Sequence, residues 1–145
     1  MKFLIYLSTL LLLSSTQAFS CDCLPNSSVR EAKSSSTNIF SGVVTEKIKY
    51  QIEGASNPIS ELLISLRIHQ IWKGKKQEYI KIRVPSTKEG CGLEFEVGKK
   101  YLVYAVGGKT PICHRCTRTK PHFERQAQSD IQSLGEPSHI IVNKN

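Results

Sequence analysis

Five cysteines, Cys21, Cys23, Cys91, Cys113 and Cys116, are the residues whose type and spacing could carry chemistry in this chain. Two chemistries compete for them. Cys21-x-Cys23 with Cys113-x-x-Cys116 offers four thiolates at spacings that a structural zinc could take, and the second pair also has the spacing of a redox dithiol. The alternative is a disulfide framework, in which Cys21 and Cys23 pair with two different distant partners. Cys91 would serve one of them, and Cys113 or Cys116 the other.

The start of the chain decides between these chemistries. Lys2, the apolar run Phe3–Leu13 and the small, polar exit Ser14–Ser20 have the three parts of a secretory signal, and Ala18-Phe19-Ser20 predicts cleavage before Cys21. The apolar run is too short to span a bilayer, and no second apolar segment near twenty residues follows, so no transmembrane span is expected. Export places the thiols in an oxidising compartment, which favours disulfides over zinc or redox work. One cysteine of the five is left over. No metal of its own and no cofactor is expected. A cysteine directly after the cut is also what bacterial lipoprotein processing uses, although bulky Phe19 fits that signal poorly. The expectation is a periplasmic or secreted protein, with a lipid-anchored envelope protein as the minor alternative.

Other catalytic signatures are absent from the sequence. It has no His-Glu-x-x-His, no Gly-x-Ser-x-Gly and no suggestive acid pair. Gly107-Gly108-Lys109-Thr110 resembles the end of a phosphate loop, but the first glycine of that loop would fall on Val103. His69, His114, His122 and His139 read as surface residues, and the protein reads as a non-enzyme.

Removing the first 20 of 145 residues leaves 125, enough for one domain. Lys2 is the only charge lost, so the formal charge falls from +8 to +7. A basic exported domain can meet polyanions. The cations alternate with apolar residues and no aromatic-rich basic block occurs, so no specific nucleic-acid partner is expected. An anionic extracellular ligand would be held by Arg67, Lys73, Lys75, Lys76, Lys81 and Arg83. Asn26-Ser27-Ser28 is a glycosylation sequon that matters only in a eukaryotic secretory pathway.

Residues 27–36 read as a short helix capped by Ser27 or Ser28. From Asn38 the period changes to two, giving a long strand to Ile52 with Gly42 as a bulge or bend. Residues 53–58 form a turn. Leu62, Ile64, Leu66 and Ile68 mark one face of a second strand that ends in the basic turn Trp72-Lys73-Gly74-Lys75-Lys76. Ile80, Ile82 and Val84 mark a third strand. A loop carries Cys91, and residues 94–97 form a short extended piece. Residues 100–106 are apolar on both faces, as in a central strand. Residues 110–113 read as a last edge strand. Pro121 opens a helix to Leu134, with Phe123, Ala127, Ile131 and Leu134 on one side. The boundaries follow: a signal peptide at 1–20, a domain at 21–135 and a flexible tail at 136–145. Five or six short strands with a helix at each end predict a mainly β, disulfide-tied fold. The best match is a small five-stranded barrel like the oligonucleotide/oligosaccharide-binding (OB) fold.

Several of these features together resemble the N-terminal, netrin-like domain of the tissue inhibitors of metalloproteinases (TIMPs). They are Cys21-x-Cys23-x-Pro25 at a cleavage site, Cys91-Gly92 in a late loop and a cysteine after the last strand. The chain is most similar to the single-domain exported bacterial members in its Trp72-Lys73-Gly74, in the run from Cys91 through Phe95-Glu96-Val97-Gly98-Lys99 to Ala105, and in Cys116-Thr117-Arg118-Thr119. The resemblance spans most of residues 21–135. It implies a metalloprotease inhibitor whose Cys21 α-amine and carbonyl clamp the protease zinc in trans. It also implies bridges Cys21–Cys91 and Cys23–Cys116, and a contact ridge of Asp22, Cys23, Leu24 and Pro25 beside Glu89, Gly90, Cys91 and Gly92. Asp22 occupies the position whose side chain enters the specificity pocket. The leader predicts a mature chain that begins at an unmodified Cys21 and releases four thiols on reduction. Intact mass before and after reduction, with N-terminal sequencing, checks both.

Overall fold

The fold is taken from a computed structural model that describes residues 23, 28–52, 59–86 and 91–142. The leader, the sequon asparagine, Cys21, Asp22, Leu24, Pro25, Glu89 and Gly90 lie outside the described residues. Helix α1 (Val29–Ser35) begins where a capping box forms. The Ser28 hydroxyl accepts from the Glu31 N–H at 3.2 Å, while the Glu31 carboxylate accepts from the Ser28 N–H at 2.8 Å.

Strands β1 (Asn38–Ile52) and β2 (Ile59–Lys73) pair antiparallel along their whole length. β3 (Tyr79–Pro85) joins the outer side of β2, and β4 (Lys100–Ala105) joins the other side of β1. Alternation places Phe40, Val44, Ile64, Leu66, Ile68, Ile82 and Val84 on one face, where they form the main core with Phe95 and Tyr101. The opposite face carries a smaller core. There Ile39, Trp72, Leu102 and Tyr104 meet Ala32 of α1 and Ala127 and Leu134 of helix α2 (Arg125–Leu134). β4 supplies both cores, and for that reason it is apolar on both faces.

The β1–β2 register shifts three times. Between Ser41↔Gln70 and Gly42↔Ile68 the extra residue is His69, and between Phe40↔Ile71 and Ile39↔Lys73 it is Trp72. Gly42 lies at the first of these bulges. A Cβ added there would sit 2.8 Å from the Arg67 carbonyl oxygen, so glycine is required by the close approach of β2.

The architecture is mainly β, but the expected closed barrel does not form. The sheet is open, in the order β3-β2-β1-β4-β5, where β5 is Lys120–Pro121 and β6 (His139–Ile140) pairs with β2. The expected strand over 110–113 reduces to isolated bridges at Ile112, parallel to Arg83 and antiparallel to Val106. Gly107, at φ +114°, turns the chain straight after Val106, and Pro111 has no N–H to extend a ladder. The C-terminal helix also differs from expectation. Pro121 belongs to β5, the helix starts at Arg125, and Phe123 is 75% exposed instead of facing the core. Residues 94–97 contain no strand, although Phe95 is buried.

The stretch from 136, read as a flexible tail, is held to the sheet as far as it is described. Ile141 is buried in the main core and its N–H donates to the His69 carbonyl at 2.8 Å. The bulge at His69 leaves that carbonyl free of the β1 ladder, and the sequence gives no sign of this. Gly42→Val should destabilise the fold by about 1–3 kcal/mol through overpacking. Urea unfolding checks it as a lower midpoint at unchanged slope.

Candidate functional site

Three cysteines meet at one end of the sheet. Cys23 is disulfide-bonded to Cys116 across 93 residues of sequence, with their Cα atoms 5.1 Å apart. The Cys91 carbonyl accepts from the neighbouring Arg115 N–H at 2.8 Å, and Cys91 is itself disulfide-bonded. Cys23 and Cys91 are therefore both anchored to the same short segment, 115–116. Of the expected contact residues, the structure brings together Cys23, Cys91 and Gly92. Cys21, Asp22, Leu24, Pro25, Glu89 and Gly90, and with them the Cys21–Cys91 bridge, lie outside the described residues.

The segment carrying Cys116 is fixed from below. The Thr119 hydroxyl donates to the Tyr104 carbonyl at 3.2 Å and accepts from the Tyr104 N–H at 2.9 Å. Cys113, a buried free thiol, donates to the same hydroxyl at 3.0 Å. Burial pushes its pKa up to about 11, so Cys113 and Cys116 do not act as a thiolate pair. Arg118 forks onto Asp130 of α2 at 2.6 and 2.8 Å, and Tyr104 donates its hydroxyl to the same carboxylate at 3.2 Å. Asp130 is 1% exposed, and its pairing to a guanidinium with two parallel bonds satisfies both oxygens. Burial, with the adjacent carboxylate, pushes the Tyr104 hydroxyl pKa upward.

Beside this platform a cleft of about 420 Å³ runs between Gly92, Leu93 and Glu94 on one wall and Arg115, Lys120 and Glu124 on the other. Its lining mixes both charge signs. Among the described residues, no group of three or more His, Cys, Asp or Glu side chains could hold a metal ion. No described helix is long and apolar enough to cross a membrane.

The expected basic set does not act as a unit. Lys73 donates to the carbonyls of Lys33 and Ser34 at the end of α1, and Arg83 lies 3.7 Å from Glu61. Lys75 and Lys81 instead line a separate groove with Lys109 and exposed Tyr79. The histidines also differ from expectation, because all four are part-buried. His114 Nδ1 accepts from the Cys116 N–H at 3.2 Å, and His69 Nε2 is enclosed without a hydrogen-bond partner. His69 is near Arg67 and Lys100, and His122 near Lys100 and His69; burial and those charges lower both histidine pKa values. Strand alternation could have placed Arg67 and His69 on one face. Nothing in the sequence announces that Lys100 and His122 join them. Among known proteins, no family model matches the chain and no curated protein matches it.

Three outcomes follow from this geometry. Cys113 should resist alkylation at pH 8 in the native protein and react only after unfolding, as read by mass. Asp130→Ala should cost about 3–5 kcal/mol by opening a buried ion pair, seen as a lower denaturant midpoint. Both histidines hold protons less well folded than unfolded. Stability should therefore be highest above their ordinary pKa of 6.5 and fall as pH drops below it, where the unfolded chain binds more protons. Urea midpoints between pH 8 and pH 5 check the sign.

Proposed function

We propose that this protein is an exported, TIMP-like metalloprotease inhibitor that binds the protease zinc through the α-amine and carbonyl of Cys21. One observation carries the proposal: Cys23 is covalently fixed to Cys116 while Cys91 is bonded to the adjacent Arg115. A ribbon held at its third residue from the predicted cleavage point loses little further freedom on binding. An α-amine has an ordinary pKa near 8, so a useful fraction is unprotonated at neutral pH, and zinc favours that form. In this reading the ridge is Asp22, Cys23, Leu24 and Pro25 on one side and Glu89 to Gly92 on the other. The fold is read as OB-like, with the bridges of Ile112 to Arg83 and Val106 marking where a fifth strand would close the barrel.

A second reading, a binding module for an anionic extracellular ligand, is favoured by a different observation, the cations Arg67 and Lys100 beside His69. The two separate cleanly. One extra residue ahead of Cys21 should abolish inhibition of a zinc-protease panel, and raised salt should leave it largely intact. An extended chain that still inhibits would overturn the zinc-clamp mechanism. Binding that collapses with salt and ignores the extension would support the second reading.

A further inference from the structure

On the outer face of the sheet, Arg67 and Lys100 form no ion pair within 4 Å among the described residues. Arg67 on β2 pairs with Val43 on β1, which pairs with Lys100 on β4, so the three share a face. The bulge adds His69 to it. Ile68 and Ile71 both point into the main core, leaving the two residues between them on the outer side. His122 is fixed at the far end, where its N–H donates to the Lys100 carbonyl at 2.9 Å. Directly between Arg67 and Lys100, β1 offers Val43, with Ser41 two residues along the strand. A shallow floor walled by cations results, two residues beyond Leu102, where cover from the helices ends.

Two polar atoms of this row are buried and unpartnered, Arg67 Nε and His69 Nε2. Groups of this kind are rare in folded proteins and ask for a partner. The Gln128 amide donates to the His122 carbonyl and lies 3.3 Å from His122 Nδ1. An amide nitrogen can only donate, so Nδ1 accepts and Nε2 carries the proton. We infer that this row binds a sulfate or phosphate group, with Arg67, His69, Lys100 and His122 as its donors. Four cationic or protonatable donors suit a doubly charged, many-oxygened anion better than a lone carboxylate.

The electrostatics agree in sign. Burial lowers the pKa of Lys100, and burial with Lys100 and Arg67 lowers that of His69. Burial with Lys100 and His69 does the same to His122. Most other groups around the row are uncharged: Tyr79 of β3 opposite Arg67, Ser41 and Val43 of β1, and Gln128 of α2. A carboxylate on this face beside Arg67, Glu46, pairs across from Ser65 and accepts from its hydroxyl at 3.3 Å. From β6 onward the contact is the Ile141 N–H on the His69 carbonyl. Glu124 is near in sequence but acts on neither histidine. An anion in the row would relieve this mutual repulsion and favour the protonated histidines.

The inference rests on the anionic-ligand reading and is independent of protease binding. The test is to follow the ring protons of His69 and His122 by NMR from pH 8 to pH 5. The disulfide-bonded protein is titrated in sodium sulfate and in sodium chloride at matched ionic strength. Both histidines should titrate at higher pH in sulfate, and Lys100→Gln should weaken sulfate binding about tenfold. Identical titrations in the two salts would overturn the site. If the protein nevertheless bound immobilised heparin, the broader anionic-ligand reading would survive without it. A sulfated disaccharide that binds far tighter than inorganic sulfate assigns the site to a glycan, and equal affinity assigns it to the free ion.

Discussion

The β1–β2 ladder is the constraint on which the rest of the molecule depends. β1 is hydrogen-bonded to β2 on one side and to β4 on the other, so every other strand is placed through this pair. The ladder is long and antiparallel, but its bulges keep it from being regular. Each bulge places two consecutive residues on the outer face and increases the local twist. At Trp72 the extra residue reaches the helices, where its indole N–H donates to the Gly135 carbonyl at 2.7 Å. At His69 the extra residue frees a carbonyl for the C-terminal segment. The same irregularity thus seats the helix cover and the end of the chain.

The two ends of the described protein are secured by different physics. The C-terminal stretch is held by burial of Ile141 and a short ladder to β2. At the N-terminal end, Cys23 is held by covalent closure to Cys116. A disulfide fixes a point on the chain without needing apolar contacts there.

Much of the strand pattern was legible in the sequence because alternation is a local signal. Ile80, Ile82 and Val84 are buried as their spacing predicts, and the run Tyr101 to Ala105 is buried on both faces. Ser28, one of the two expected caps, caps α1, and Glu31 completes a capping box beyond that expectation. Elements that depend on distant neighbours were not legible. Pro121 looks like a helix opener, yet the two residues 120–121 pair with β4 before the helix begins. Ile140-Ile141-Val142 gains its place only because a bulge elsewhere offers an acceptor. The open edge at 110–113 likewise rests on single-residue pairing at Ile112, which no periodicity can report. For the candidate site, Cys23, Cys91 and Cys116 stood out by type. Of the cations around His69, Arg67 stood out among the basic residues, but Lys100 and His122 did not, since they come from a separate strand and a turn.

The free thiol three residues from a disulfide has a consequence for how this protein keeps its covalent pattern. Cys113 is close enough in sequence to Cys116 to attack the Cys23–Cys116 bond and exchange partners. Exchange needs a thiolate. With its pKa pushed up to about 11, Cys113 stays protonated at neutral pH. Its proton is also committed to the Thr119 hydroxyl. In the unfolded chain none of that protection exists, and the same sulfur is an ordinary nucleophile beside its neighbour. Cys113 can therefore help to reshuffle wrong pairings before the core closes, and folding then removes it from the chemistry.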